Sequence, residues 1–162
     1  MISPTDIIHL HSCVRLAREA LDAGDSPFGS ILVSGDGEIL KEDRNQVVTK
    51  ADITHHPEFM LVQWAQKNLS LGERAAATVY TSGEHCPMCA TAHAFAGMGR
   101  IVYASSTAQL VAWRREFGVQ AGPVAPLAIN QIAPGLLVEG PVAGVDEEVK
   151  ELHRMKHQGV NI

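Results

Sequence analysis

Hydrophobic residues along the first two dozen positions recur at helical spacing. Ile7, Ile8, Leu10, Val14, Leu16, Ala17 and Leu21 fall close to one face and Gly24 follows as a stop, which predicts a helix over 4–23. The apolar runs then shorten. One over 29–34 ends at Ser34-Gly35-Asp36-Gly37, a strong turn signal, and a second strand is predicted over 39–48. Helical spacing returns over 56–68, with Pro57 tolerated in the first turn. A strand over 77–82, a helix of small residues over 86–97 and a strand over 100–104 come next, with Met98-Gly99 as punctuation. Ser106 and Gln109 match a capping box for a helix ending at Gly118. Prolines and glycines crowd 121–144, which reads as loop with one or two short strands, and a last helix is expected over 146–156.

Strand–helix–strand crossovers favour parallel pairing, while the tight turn at 35–37 requires one antiparallel pair. The expected architecture is therefore α/β: a mixed five-stranded sheet with helices on both faces, three layers in one domain spanning 1–162. Neither an internal repeat nor a low-complexity tract interrupts it.

Composition narrows the partners. The 162 residues are 46% hydrophobic and 19% charged, an ordinary globular balance. A net charge of −5 and a lone adjacent basic pair, Arg114-Arg115, disfavour nucleic acid, whose phosphates need a basic face. No apolar run approaches the roughly 20 residues of a membrane span, and residues 1–10 lack the pattern of a signal peptide. Cys13, Cys86 and Cys89 make an odd count, which suits metal binding or redox chemistry better than disulfides and points to the cytoplasm.

Two short motifs carry the chemistry: His56-Pro57-Glu58 and Cys86-Pro87-Met88-Cys89. Both sit where a loop gives way to a helix N-terminus, at the end of the sheet where α/β folds place ligands. The two cysteines, three apart on a helical turn, can present two thiolates to one metal, and His56 can add a neutral imidazole. Three protein ligands leave one zinc position open for water, the catalytic arrangement. Glu58, two residues past a ligand, is placed to shuttle protons. Two other readings stay open at this point: a redox Cys-x-x-Cys pair at a helix N-terminus, and a closed structural site using His55, His56, His85, Cys86 and Cys89. Combined in this order, the motifs match the His-x-Glu and Cys-x-x-Cys signature of zinc nucleobase deaminases.

With Pro27-Phe28-Gly29, Asn45, Asp52-x-Thr54-x-His56-x-Glu58 and Thr81-x-Gly83-Glu84-x-Cys86-Pro87-Met88-Cys89, the chain resembles the cytidine and deoxycytidylate deaminase superfamily. Its nearest likeness there is the branch holding guanine deaminases, fungal-type cytosine deaminases and tRNA adenosine deaminases, in register from Pro27 to Tyr103. The resemblance implies a cytidine deaminase-like fold with 119–162 as a divergent C-terminal part, and Zn2+ bound by His56, Cys86 and Cys89. It implies Glu58 as proton shuttle, Asn45 as a substrate hydrogen-bonding group, Phe28 as a pocket wall and a homodimer as the assembly. The implied reaction is hydrolysis of an exocyclic amine on a small-molecule heterocycle, guanine first, with cytosine or a nucleoside as the alternative and tRNA adenosine after them. Two departures lie beside the pocket: His85 where the family commonly has proline, and Pro57 where it usually has a small residue.

The remaining residues have plainer readings. Asn45 equally suits a turn, and Phe28 a core position. Glu84 either contacts the site or favours a helix N-terminus. His55 and His85 flank the ligands and read as pocket groups, partners of the ligands or surface histidines, the last favoured; His93 reads as a hydrogen-bonded packing residue, and His153 and His157 as a solvated tail. Cys13 reads as a small buried hydrophobe. Trp113, Phe117 and the last helix either close a pocket or pack amphipathically.

Overall fold

The computed structural model of the chain describes residues 1–159. In chain order the elements are α1 (Pro4–Asp22), β1 (Gly29–Val33), β2 (Ile39–Arg44), α2 (Pro57–Asn68), α3 (Leu71–Ala76), β3 (Thr78–Gly83), α4 (Pro87–Phe95), β4 (Ile101–Ser105), α5 (Thr107–Glu116), α6 (Ile129–Ile132), β5 (Val138–Glu139) and α7 (Val145–Gln158). The strands form one mixed sheet in the order β2-β1-β3-β4-β5. β1 runs antiparallel to both β2 and β3, while β3, β4 and β5 are mutually parallel. The expected α/β/α arrangement with five strands is the one observed.

Side chains alternate across the central strands and so build a core on each face. Ile31, Val33, Tyr80, Val102 and Ala104 meet Leu10, Cys13 and Leu16 of α1, Trp113 of α5 and Val149 of α7. Leu32 and Val79 point the other way, to Leu61, Val62 and Ala65 of α2 and to Ala96 and Met98 beyond α4. Cys13 is fully buried, as its small apolar character suggests. Close approach of α1 to the sheet explains Gly29: a Cβ there would lie 2.4 Å from that of Leu16 and 2.5 Å from the Cys13 carbonyl oxygen. Glycine is required for contact and not for a turn.

Three local outcomes differ from the periodicity. β2 stops at Arg44, short of the expected 48, because buried Asp25 draws the following backbone into a turn. Its Oδ1 accepts from the Val48 and Thr49 amides at 2.8 and 3.0 Å, and its Oδ2 from the Thr49 hydroxyl at 2.8 Å. Helix α3 was not anticipated, although Ser70 and Glu73 form a complete capping box ahead of it. In 121–144 the backbone settles into one helical turn, α6, and the two-residue β5.

One ion-pair network locks the α1 start to the sheet. Asp6 closes a capping box with Ser3, accepts the Tyr80 hydroxyl at 2.7 Å and takes Arg100 at 2.8 and 3.1 Å. Arg100 also bonds Glu139 on β5 at 2.6 Å. Burial opposes the charge on Asp6, yet Arg100, Tyr80 and Ser3 outweigh it and hold the carboxyl well below the usual range. Removing the Asp6 charge takes from the Tyr80 hydroxyl its acceptor and from Arg100 one of its two carboxylates in a largely buried setting, which costs more than the pair itself contributes. Asp6→Asn is expected to destabilise the protein by about 3 kcal/mol, read from urea unfolding with an unchanged denaturant slope.

Candidate active site

The sheet topology brings the C-terminal ends of β2, β3 and β4 and the N-terminal end of β1 to one edge. Phe28, Asn45, Glu84 and the starts of α2 and α4 lie on that edge. The loop into α2 is shaped by Asp52, whose Oδ1 accepts from the Thr54 amide at 2.9 Å and hydroxyl at 2.7 Å. That Asx turn, followed by a bond from the His56 amide to the Thr54 carbonyl at 2.7 Å, sets His56 in extended backbone as the N-cap of α2. Pro57 takes the first helical position, where no amide hydrogen is needed, so this departure from the family pattern suits the helix. Cys86 is likewise the N-cap of α4, with Pro87 after it and Cys89 one turn on.

Two helix N-termini thus converge and bring the ligand candidates together. The distances are 3.6 Å from Cys86 Sγ to His56 Nδ1, 3.6 Å between the two sulfurs and 3.7 Å from Cys89 Sγ to His56 Nδ1. A tetrahedral zinc with bonds of about 2.0–2.3 Å sets its ligand atoms roughly 3.4–3.8 Å apart, so the donors present fit that ion. Among the described residues these three are the group of donors close enough to share a metal, and Glu58 is outside it. Cys13 lies apart in the α1 core, so the cysteines do not form a larger cluster.

The two thiols are shifted in opposite directions. Hydrogen bonds from Cys89 and His56 pull the Cys86 thiol down to about 4 against its burial. The same bond to Cys86, together with burial, pushes Cys89 well above the usual thiol range. His56 is raised, first by its bond to Cys86 and then by the Glu58 carboxyl, against desolvation. The positive helix ends favour thiolate here.

Glu58 is buried at the second position of α2. Its Oε1 accepts from the Thr81 hydroxyl at 3.0 Å and its Oε2 lies 3.9 Å from Cys89 Sγ. Burial pushes the carboxyl up to about 7, with the Cys86 charge adding to it and the His56 charge and Thr81 bond opposing it. A carboxyl poised near neutrality beside a metal site can take up and release protons at working pH.

A profile of the MafB19-like deaminase family matches residues 6–132, which hold every residue of this site. The chain belongs to the MafB19-like deaminase family. It is 30% identical to a probable cytosine deaminase of Schizosaccharomyces pombe over 80% of this chain and 75% of that protein. A guanine deaminase of Bacillus subtilis is 38% identical over 59% of this chain and 62% of its own length. A tRNA-specific adenosine deaminase of the same organism is 30% identical over 60% of each chain. Among solved structures, a guanine deaminase from Nitrosomonas europaea superposes with a TM-score of 0.72 at 19% identity, covering 98% of this chain and 86% of that one, a likeness of fold.

The family match ends before α7, and α7 is where the expectations about histidines fail. His153 is not a solvated tail: it is 1% exposed, with its ring 5.0 Å from that of Phe28 and 6.3 Å from that of Trp113. His157 is half-buried near Phe117, with ring centroids 6.4 Å apart. Both were misread because a charged, amphipathic helix hides how deep its inner face sits. His85 and His55 are not on the surface either. His85 is fully buried edge-on to His93, with ring centroids 5.3 Å apart. His55 is buried in the loop before α2, with its Nε2 4.0 Å from Asp43 Oδ2. His93 is a hydrogen-bonded packing residue as expected, 2.8 Å from the Gly99 carbonyl.

The other named residues are also placed. Asn45 is buried, and its Oδ1 accepts the Val47 amide at 3.1 Å. Phe28 packs over Gly83, where a Cβ would meet its ring at 3.0 Å. Glu84 is a tie and not a site group: its two oxygens accept the Thr107 and Ile129 amides, each at 2.8 Å. Trp113 and Phe117 pack with α1 and α7 in the core. Ser30 and Asp25 were missed, and Thr81 was named in a motif but without its bond to Glu58. Their signal was a short polar residue inside or beside an apolar run.

Burial keeps three histidines neutral: it holds His93 down to about 4 and His153 to about 3, and His85 falls well below the usual range. The unfolded chain protonates each of them below about 6.5. Between its folded value and that point the unfolded state binds more protons, so stability rises with pH across the window. Above about 6.5 the contribution is complete, and it is lost as pH falls toward the folded values. Glu58 works in the opposite sense between its ordinary and raised values, but the histidines outnumber it. Urea midpoints of the metal-free protein are therefore expected to drop from about pH 6.5 downward, by up to about 1.4 kcal/mol per pH unit for each histidine. His153→Phe keeps an aromatic ring between Phe28 and Trp113 and is expected to make that decline shallower by one proton's worth.

Proposed function

We propose that this chain is a zinc-dependent hydrolytic deaminase of a nucleobase or related small aminoheterocycle, with guanine as the first substrate to test. Family membership supports hydrolytic deamination of a nucleobase or nucleoside as the broad activity. The observation that carries the metal is the triangle of His56, Cys86 and Cys89, with buried Glu58 beside it but outside the donor group. A zinc ion held there supplies a Lewis acid able to make water nucleophilic near neutral pH.

The chain's own residues do the rest. Glu58 Oε2, on the side of the ligands, takes a proton from the attacking water and returns it to the ring nitrogen. A second transfer through the same carboxyl protonates the exocyclic nitrogen, which leaves as ammonia while oxygen takes its place on the ring carbon. Asn45 Nδ2 donates to an acceptor on the substrate edge, and Phe28 forms a wall of the pocket. The redox reading of Cys86 and Cys89 explains the lowered Cys86 thiol, but leaves His56 and the raised Glu58 without a role. A closed structural site would need a fourth donor, and His85 is turned instead against His93.

Guanine is supported by the Bacillus subtilis relative, which shares 38% identity over 97 residues. Cytosine is the second reading, favoured by the Schizosaccharomyces pombe relative that spans more of this chain. The net charge of −5 counts against a polynucleotide. Ammonia release from guanine, cytosine, their nucleosides and a tRNA anticodon stem-loop separates these readings. The expected outcome is turnover of a free base well above every other substrate, and preference for the stem-loop would reverse the assignment.

Two substitutions test the chemistry apart from the substrate. Glu58→Gln keeps size and hydrogen-bonding shape but removes the basic oxygen, so about one zinc per chain remains while kcat falls at least ~10²-fold. Cys86→Ala is expected to lose metal and activity together, because a site short of a thiolate holds zinc weakly. Metal content by elemental analysis distinguishes the two, and zinc loss in Glu58→Gln would make that residue a ligand.

A further inference from the structure

Thr81 and Ser30 are fully buried polar side chains on paired central strands. They are partners in the antiparallel register of β1 and β3, and both are fully buried on the face covered by α2. The Ser30 hydroxyl donates to Thr81 Oγ1 at 2.8 Å, and Thr81 Oγ1 lies 3.0 Å from both Glu58 Oε1 and the Gly83 carbonyl. The Ser30 proton fills the acceptor side of Thr81. Thr81 is left with its own proton for Glu58 or for Gly83.

We infer that Thr81, backed by Ser30, is a positioning residue that fixes Glu58 by one oxygen so that the other faces the metal ligands, an inference that rests on the deaminase reading above. A glutamate has three rotatable side-chain bonds, and an unpaired buried carboxyl seeks whatever donor is near. Thr81 holds Oε1 against the sheet, while Oε2 is directed to the side where Cys89 Sγ lies 3.9 Å away. Ser30 keeps the Thr81 hydroxyl from turning toward the β1 strand. Sub-ångström placement of a proton-transferring group is worth orders of magnitude in rate, so a hydroxyl that touches no substrate still controls kcat.

Thr81→Val removes the hydroxyl at nearly constant volume. Its kcat is expected to fall at least ~10-fold with KM within about twofold and zinc content unchanged. Thr81→Ser should restore most of the rate, and Ser30→Ala, one bond further out, should lose less than Thr81→Val. In a Glu58→Gln background Thr81→Val should cost nothing more in kcat, because the group it positions no longer moves protons. Unchanged kcat in Thr81→Val, or a full additional loss in the Glu58→Gln background, would overturn the inference. A second readout needs no turnover: the thermal midpoints of metal-free wild type, Thr81→Val, Glu58→Gln and the double variant. Non-additive midpoint shifts are expected, and strictly additive ones would overturn the inference. If wild type releases ammonia from no heterocycle, the deaminase reading fails by itself, and these midpoints still decide whether Thr81 and Glu58 act as a pair.

Discussion

The site depends on the meeting of two helix N-termini at one edge of the sheet. His56 caps α2 and Cys86 caps α4, so each helix directs unpaired amides and the positive end of its dipole at the same small volume. In that volume Cys86, hydrogen-bonded by Cys89 and His56, is pulled well below the usual thiol range, while Cys89 is pushed above it by the same bond and by burial. The helices are held there by the core under them. Leu61, Val62 and Ala65 of α2 pack on Leu32 and Val79 of the sheet, so neither helix can retreat without opening that layer.

The same burial sets the behaviour of the groups around the ligands. Glu58 is withdrawn from solvent and pushed up to about 7, which would destabilise an unassisted carboxylate. Its support comes from the sheet, through Thr81 and Ser30. On the other face Asp6 is buried too, yet it is driven in the opposite direction because Arg100 provides a full charge where Thr81 provides a neutral hydroxyl. Two buried acids in one small protein are therefore shifted in opposite directions. One is tied into an ion-pair network, and the other lies beside the ligand candidates with a hydroxyl as its partner.

The C-terminal part stands in a different relation to the site. The family match stops at residue 132, and beyond it α7 packs His153 against Phe28, at the edge where the ligand candidates gather. Glu84 ties the same region down from the other side, holding the starts of α5 and α6 by their amides. A helix outside the matched region therefore supports a residue inside it. Changes in α7 can reach Phe28 without touching a donor atom.

Much of this was legible in the chain itself. Alternation and turn signals gave the hairpin, the crossovers and the mixed sheet, because burying both faces of a sheet needs a distinctive pattern. Spacing gave His56, Glu58, Cys86 and Cys89, because ligands on two helix starts must fall in two short motifs. Local signals did not reveal depth. His85, His153 and His55 carry no mark in sequence that separates a buried neutral imidazole from a solvated one, since that depends on what packs over it. The length of β2 was set by Asp25 through bonds to amides 23 and 24 residues downstream, which exist only after the chain has turned back. Partnership between Thr81 and Glu58 likewise required the β1–β3 register to be in place. Local periodicity and motif spacing thus determined the elements and the donor set, while burial, register and long-range hydrogen bonds, which no local pattern encodes, were decided by the tertiary structure alone.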